Sequence, residues 1–140
     1  PAVVGEALEC LGGNGFVEDS GLPRLYRESP LNSIWEGSGN VQCLDVLRAL
    51  RREPDAAERF LAELEPGDRT SVERELAEAD EACARRLVET MAVAFQASLL
   101  DRHGDPAVAV AFRARHRHAA FGTLPTGLPL GAIIERYNCA

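Results

Sequence analysis

Apolar residues recur every three or four positions along almost the whole chain, as at Val41, Leu44, Leu47 and Leu50. No segment alternates apolar and polar residues convincingly enough to be a strand. Prolines and glycines interrupt the pattern between these segments, where the chain is expected to turn. A chain of 140 residues is long enough to bury a core. We therefore predict an all-α fold, a helical bundle in which neighbouring helices run antiparallel.

Residues that start or stop helices predict the boundaries. Gly12 and Gly13 should end the first helix, because glycine supplies the left-handed cap. Ser29 should leave the helical region because Pro30 follows it. Thr70 and Glu73 have the spacing of a capping box and predict the start of the longest helix. The predicted helices are 2–11, 23–28, a segment capped by Ser38 or Asn40 and ending near 52, 54–64, 70–100, 105–122, and a last turn holding Ile133, Ile134 and Tyr137.

Charge and cysteine usage narrow the classes of function. The net charge of −7 argues against indiscriminate binding to polyanions. The charge is uneven, since residues 101–140 carry five Arg and three His against three acids. No apolar run is long enough to span a membrane. The four cysteines lack metal-ligand spacing, so we expect no metal site, and we expect Cys10, Cys43 and Cys83 to be small buried hydrophobes in a reducing cytosol.

Two glycine-rich loops are the candidate functional segments, because binding and catalytic groups are concentrated in loops. Residues 34–40, Ile-Trp-Glu-Gly-Ser-Gly-Asn, place the Glu36 carboxylate just before a helix. Ile34 and Trp35 would partly remove water from it, which suits a general base. An ordinary loop glutamate is the alternative. Residues 12–15, Gly-Gly-Asn-Gly, could cradle a phosphate or simply stop a helix. They follow a helix rather than a strand and so are not a dinucleotide-binding fingerprint.

Three segments taken together indicate a family. They are Ala-Leu-Glu-Cys-Leu-Gly-Gly-Asn-Gly-Phe at 7–16, Leu-Pro-Arg-Leu-Tyr-Arg-Glu at 22–28, and Asn-Ser-Ile-Trp-Glu-Gly-Ser-Gly-Asn at 32–40. In this order and spacing the chain resembles the C-terminal helical domain of the acyl-CoA dehydrogenase family. The amino-acid sequence of these segments is most similar to the AidB branch, which comprises flavoproteins of the adaptive response to DNA alkylation. The resemblance covers roughly residues 3–50, and residues 51–140 are similar only in being helical.

The resemblance implies a set of roles. Family members bind FAD and an acyl-CoA thioester, and a carboxylate removes the α-proton while the β-hydrogen leaves as hydride. Glu36 stands where many members carry this base. Gly12 and Gly13 match a segment that contacts the FAD of a neighbouring subunit, and Gly37 and Ser38 join them as cofactor-binding candidates. Members are commonly homotetramers.

Two residues depart from the family pattern. Glu9 stands where many members have Gln, and an ionised carboxylate cannot donate the hydrogen bonds that an amide donates. Trp35 replaces a common Tyr and makes the site bulkier, which predicts a narrower acyl pocket.

A second functional candidate is the basic run in residues 113–118. Arg113, Arg115 and Arg117 could contact phosphates, because arginine pairs well with them. A solvated helix face is the alternative. The resemblance adds weight to duplex DNA as a partner, because the AidB branch is associated with DNA through its C-terminal part.

These observations give one principal interpretation. We expect residues 1–52 to be the end of an acyl-CoA dehydrogenase C-terminal domain and residues 53–140 to be additional helices packed on it. The chain starts with Pro1 rather than Met, so we expect a fragment of a longer, cytoplasmic, FAD-dependent dehydrogenase. The alternative function is a flavin-containing duplex-DNA-binding protein with little or no dehydrogenase turnover.

Overall fold

A computed structural model describes residues 1–117 and 127–138, with side chains over 1–114 and 127–135. Within these ranges the regular elements are nine α-helices and one 3-10 helix, with no strand, which confirms the all-α prediction. The α-helices are α1 Ala2–Cys10, α2 Gly13–Phe16, α3 Leu22–Glu28, α4 Gly39–Arg52, α5 Pro54–Ala62, α6 Pro66–Ala77, α7 Ala84–His103, α8 Pro106–Arg117 and α9 Leu130–Asn138, and the 3-10 helix is Ser29–Ser33. The predicted end of α8 near Gly122 lies outside the described residues. No helix in the described ranges is long and apolar enough to cross a membrane.

The chain divides into two compact units, an N-terminal unit of residues 1–42 and a C-terminal unit of residues 43–140. Helix α4 continues from one into the other, since its first four residues belong to the N-terminal unit. The sequence suggests a domain boundary after residue 52, ten residues beyond the division between the two units. That domain boundary stays a prediction.

In the N-terminal unit, α1 packs on α2 and α3. Gly15 is buried there, and a Cβ atom at this position would lie 2.6 Å from the carbonyl oxygen of Leu8. Only glycine allows this close approach. α1 ends at Cys10 with Leu11 as its cap, and Gly12 follows with a φ of +56° and a ψ of −140°, which is not the left-handed helical conformation that was predicted. Gly13 then begins the short helix α2 where a loop was expected.

The prediction for Ser29 is wrong. Its φ of −58° and ψ of −32° are helical although Pro30 follows it. The chain tightens into the 3-10 helix rather than leaving the helical region, and the Ser29 hydroxyl donates to the Tyr26 carbonyl at 2.8 Å. The bias before proline is a tendency, and the local turn overrides it here.

The C-terminal unit contains the hydrophobic core of the described residues. One cluster joins Cys43 and Leu47 of α4 to Ala84 and Leu87 of α7. A second cluster is formed by Leu61, Leu64, Val72 and Ala94. Of the predicted stripe on α4, Leu47 is buried and Leu44 and Leu50 pack partly buried against the first cluster, whereas Val41 is 53% exposed.

The predicted helix over 70–100 is in fact two helices, α6 and α7, separated by residues 78–83. Asp80 Oδ1 accepts a hydrogen bond from the Cys83 backbone N–H at 2.8 Å and stabilises the turn. The turn lets α6 fold back along α7, so that Val72 packs with Ala94. A continuous helix could not bury these two faces against each other.

The predicted capping box is also wrong. Thr70 lies inside α6, where its hydroxyl donates to the Pro66 carbonyl at 3.1 Å. Glu73 instead accepts a hydrogen bond from Arg69 at 2.8 Å. Proline at the first helical position starts this helix four residues earlier than the box would.

Candidate functional site

The Glu36 loop is a tight turn between the 3-10 helix and α4. The Trp35 N–H donates to the Leu31 carbonyl at 3.1 Å, and the Gly37 N–H donates to the Ile34 carbonyl at 3.1 Å. Gly37 has a φ of +111°, a backbone conformation that side-chain-bearing residues rarely adopt. The loop therefore depends on glycine directly after the candidate base.

The apolar neighbours of Glu36 do not shield it within this chain. Ile34 is 62% exposed, Trp35 is 66% exposed, and Glu36 itself is exposed. The expectation that these two side chains remove water from the carboxylate is therefore not met in the described unit. Their exposure leaves an apolar surface and a carboxylate side by side, open to a ligand.

Gln42 is a part of this loop that the sequence analysis did not identify. Its side-chain Nε2 donates to the backbone carbonyl of Glu36, six residues earlier. The same Nε2 lies 3.2 Å from the position that a Cβ atom on Gly37 would occupy. A polar residue in the first turn after a glycine loop is the signal that could have pointed to it.

The other glycine loop offers open backbone. Apart from the adjoining backbone, no atom lies within 4 Å of the position of a Cβ atom on Gly12 or Gly13, and both residues are exposed. Gly12 and Glu9 line a groove of about 1050 Å³, which Phe16 and Tyr26 also border. The groove thus brings Glu9, which departs from the family pattern, close to Gly12, a candidate for binding the cofactor.

A hydrogen-bonded ion pair closes one edge of that groove. Arg27 donates to Glu18 through Nη1 at 2.6 Å and through Nη2 at 3.1 Å. The hydrogen bond from Arg27 lowers the pKa of the Glu18 carboxyl. Both side chains are exposed, so the pair contributes little to stability.

The structure places Arg113, the first residue of the candidate DNA patch, in an intramolecular cluster. Its guanidinium contacts the carboxylate of Asp68 at 2.7 Å and donates from Nη1 to Asp101 Oδ1 at 2.9 Å. The buried hydroxyl of Ser98 donates to Asp68 at 3.3 Å and accepts from the Glu65 N–H at 3.0 Å. The hydrogen bond from Arg113 lowers the pKa of Asp101.

The charge of Arg113 is thus compensated by two carboxylates. Hydrogen bonding to Asp101 and Asp68 raises the pKa of the guanidinium well above its ordinary value. The side chains of Arg115 and Arg117 lie outside the described residues. What the structure assigns to Arg113 is a role in joining α6, α7 and α8. In the described part of the chain, no three His, Cys, Asp or Glu residues lie close enough to hold a metal ion.

Comparison with known proteins supports the family for the first third of the chain. The sequence model described as "Acyl-CoA dehydrogenase, C-terminal domain" matches residues 2–51. Over 50 residues the chain is 68% identical to AidB of Escherichia coli (strain K12). The aligned stretch covers 36% of this chain and 9% of that protein. Over 46 residues it is 54% identical to acyl-CoA dehydrogenase family member 11 of Caenorhabditis elegans. This alignment covers 33% of this chain and 8% of that protein.

A more distant relative agrees. Butyryl-CoA dehydrogenase of Syntrophomonas wolfei is 40% identical over 40 residues, which is 29% of this chain and 7% of that protein. The chain therefore spans less than a tenth of the length of these curated relatives. Residues 2–51 match the C-terminal domain of the acyl-CoA dehydrogenase family and are similar to AidB, which confirms the resemblance.

Proposed function

We propose that this chain is the C-terminal part of a FAD-dependent acyl-CoA dehydrogenase homologue of the AidB type. The reaction is α,β-dehydrogenation of an acyl-CoA thioester, with Glu36 as the base. The observation that carries the proposal is the loop of residues 34–38, where an exposed carboxylate lies beside exposed apolar side chains and a positive-φ glycine. This loop lies inside the segment that matches the family.

The glycine residues fit a bound cofactor. The open space over Gly12 and Gly13 lets a flat or phosphorylated group approach the backbone closely. In our proposal Gly12 and Gly13 contact the FAD of a neighbouring subunit, and Gly37 and Ser38 are the cofactor contacts of the second loop. When bound, FAD supplies the acceptor for the hydride that leaves the β-carbon.

The residues of this chain do the rest of the work. Glu36 takes the α-proton, and its exposure lets a thioester reach it. Gly37 carries no side chain that would block that approach. Ile34 and Trp35 provide apolar contact for the acyl chain. These two side chains do not keep water away from the Glu36 carboxylate, and the bound substrate displaces that water. The bulk of Trp35 favours short acyl groups.

We further propose that the full-length protein is a cytoplasmic homotetramer. The family match supports an oligomer, because members bind FAD between neighbouring subunits. We also retain residues 53–140 as additional helices packed on the family domain. Sedimentation of the full-length protein tests the tetramer, and a monomer at high concentration would contradict it.

The direct test uses full-length protein loaded with FAD. Anaerobic mixing with a panel of acyl-CoA thioesters should bleach the flavin in the wild type. Glu36→Gln should slow the bleaching by about 100-fold to 10,000-fold, because it removes the proton acceptor. Glu6→Gln is the matched control, an exposed glutamate of the same unit, and should bleach as the wild type does. No bleaching by any thioester, with FAD bound, would overturn the dehydrogenase proposal.

The alternative function, a flavin-containing duplex-DNA-binding protein, is favoured by the net-basic residues 101–140. Because Arg113 is engaged by Asp68 and Asp101, the proposed contacts fall mainly to Arg115 and Arg117. Binding of duplex DNA should weaken steeply with salt and should be lost in an Arg115/Arg117 double alanine variant. Unchanged binding in that variant would exclude this patch.

A further inference from the structure

Gln42 holds the Glu36 loop from outside it. The residue lies in the first turn of α4, and its side chain reaches back to the Glu36 carbonyl. Its backbone N–H separately donates to the Ser38 carbonyl at 3.1 Å, which is the first helical bond of α4. One residue therefore joins the start of the helix to the loop at two places.

Gly37 leaves the space that this contact needs. The Gln42 Nε2 and Cδ atoms lie 3.2 Å and 3.9 Å from the position of a Cβ atom on Gly37. The amide group thus lies against the face of the loop where Gly37 has no side chain. The positive φ of Gly37 and the reach of Gln42 belong to one arrangement.

Packing does little to fix this loop within the described unit. Residues 31–38 are all exposed, so their positions depend on hydrogen bonds. The bond from Gln42 fixes the carbonyl of Glu36 and with it the peptide plane that follows the candidate base. Fixing that plane limits the directions in which the Glu36 side chain can leave the backbone.

We infer that Gln42 is a positioning residue for Glu36, holding its carboxylate where the α-proton of the thioester is removed. This inference rests on the proposed function. Small displacements of a catalytic group lower the rate strongly, because the reacting atoms must be aligned. Loss of the Gln42 amide should therefore lower kcat and leave KM nearly unchanged, since the Gln42 side chain binds the loop backbone at the Glu36 carbonyl.

The variants separate the hydrogen bond from the shape of the side chain. Gln42→Met keeps the length but removes the donor, and Gln42→Lys keeps a donor of similar reach. Gln96→Met is the matched control. Gln96 is also exposed and also donates to a backbone carbonyl, that of Ala92 at 2.9 Å, but within its own helix and in the C-terminal unit.

The first readout is independent of activity. Trp35 is the single tryptophan of the chain and adjoins Glu36. In the 140-residue chain, time-resolved fluorescence anisotropy of Trp35 should show a larger fast component in Gln42→Met, with far-UV circular dichroism unchanged. Gln42→Lys should restore most of the wild-type signal, and Gln96→Met should match the wild type. Equal anisotropy in wild type and Gln42→Met would overturn the inference.

The second readout uses full-length protein with FAD. Gln42→Met should lower the kcat of dehydrogenation by about 10-fold to 100-fold, with partial recovery in Gln42→Lys. If Gln42→Met turns over as fast as the wild type, that result overturns this inference alone. Absence of turnover in the wild type overturns the proposed function itself, so the two failures are distinguishable.

Discussion

The two units of the chain bury very different residues. In the C-terminal unit Val72 and Leu87 are 0% exposed and lie in hydrophobic clusters. In the N-terminal unit the buried residues are Gly15 and Pro23, while Val3 and Phe16 are each 79% exposed. The family match covers the N-terminal unit and only the first part of the C-terminal one. Recognisable sequence and buried core therefore lie largely in different parts of the chain.

This difference shows that a strong family match need not coincide with the source of stability. Residues 1–42 leave many large apolar side chains exposed, and their helices are short. Residues 43–140 contain the buried apolar area that stabilises a fold in water. Substitutions in the two units should consequently differ in kind.

The largest expected effect is loss of a core side chain. Leu87→Ala should cost about 2–5 kcal/mol, because it leaves a cavity beside Cys43 and Leu47. Leu25→Ala in the N-terminal unit should cost less than about 1 kcal/mol, since Leu25 is 52% exposed. Guanidinium unfolding followed by circular dichroism measures both. Equal costs would break the comparison.

The next effect is loss of the cation that joins α6, α7 and α8. Arg113→Met should cost about 1–3 kcal/mol, because it leaves the partly buried Asp68 and the more exposed Asp101 without their partner. Arg69→Met, which removes an exposed pair with Glu73, should cost less than about 1 kcal/mol. The same unfolding experiment compares them. A smaller cost for Arg113 than for Arg69 would mean that the cluster does not stabilise the unit.

In the N-terminal unit the sharpest expected contrast is between adjacent glycines. Gly12→Ala should destabilise α1 and α2 by about 1 kcal/mol, because the residue has a φ of +56°. Gly13→Ala should be neutral or stabilising, since Gly13 is helical and nothing lies within 4 Å of its Cβ position. Hydrogen exchange of the α1 and α2 amides reports both. Protection lowered equally by the two substitutions would contradict this reading of the loop.

The smallest expected effect is the pH dependence that Asp101 contributes in the C-terminal unit. Arg113 lowers the pKa of Asp101 in the folded chain, so the unfolded chain takes up this proton more readily. The stability that results is present above the unfolded pKa of Asp101 and is lost as the pH falls through its lower, folded pKa. Acid titration of the unfolding free energy should show a shallower decline in Arg113→Met than in the wild type. Identical slopes would show that Asp101 is not linked to Arg113.

Much of the helical layout follows from local sequence. Proline and aspartate predict the start of α8, where Asp105 accepts a hydrogen bond from the Ala107 N–H at 2.7 Å. The turn at residues 78–83 was missed because it contains neither glycine nor proline, and the packing of α6 on α7 decides it. Cys10 was expected to be buried, and it is exposed because α1 lies in the unit with little core.

The candidate site shows the same division. Glu36 and the glycines were found because their types and order resemble a known family. Gln42 was missed because its contact depends on the conformation of Gly37, which residue types alone do not reveal. The Arg113 cluster joins residues that are 45 and 12 positions apart, and such contacts emerge only when the helices pack.

The most direct measurement for the central claim follows the proton that Glu36 is proposed to remove. Full-length protein with FAD is incubated anaerobically in deuterium oxide with an acyl-CoA thioester. The deuterium content of the recovered thioester is then measured by mass spectrometry. We expect deuterium at the α-carbon with the wild type and with Glu6→Gln, and exchange slower by about 100-fold or more with Glu36→Gln. Exchange at the wild-type rate in Glu36→Gln would show that another group is the base.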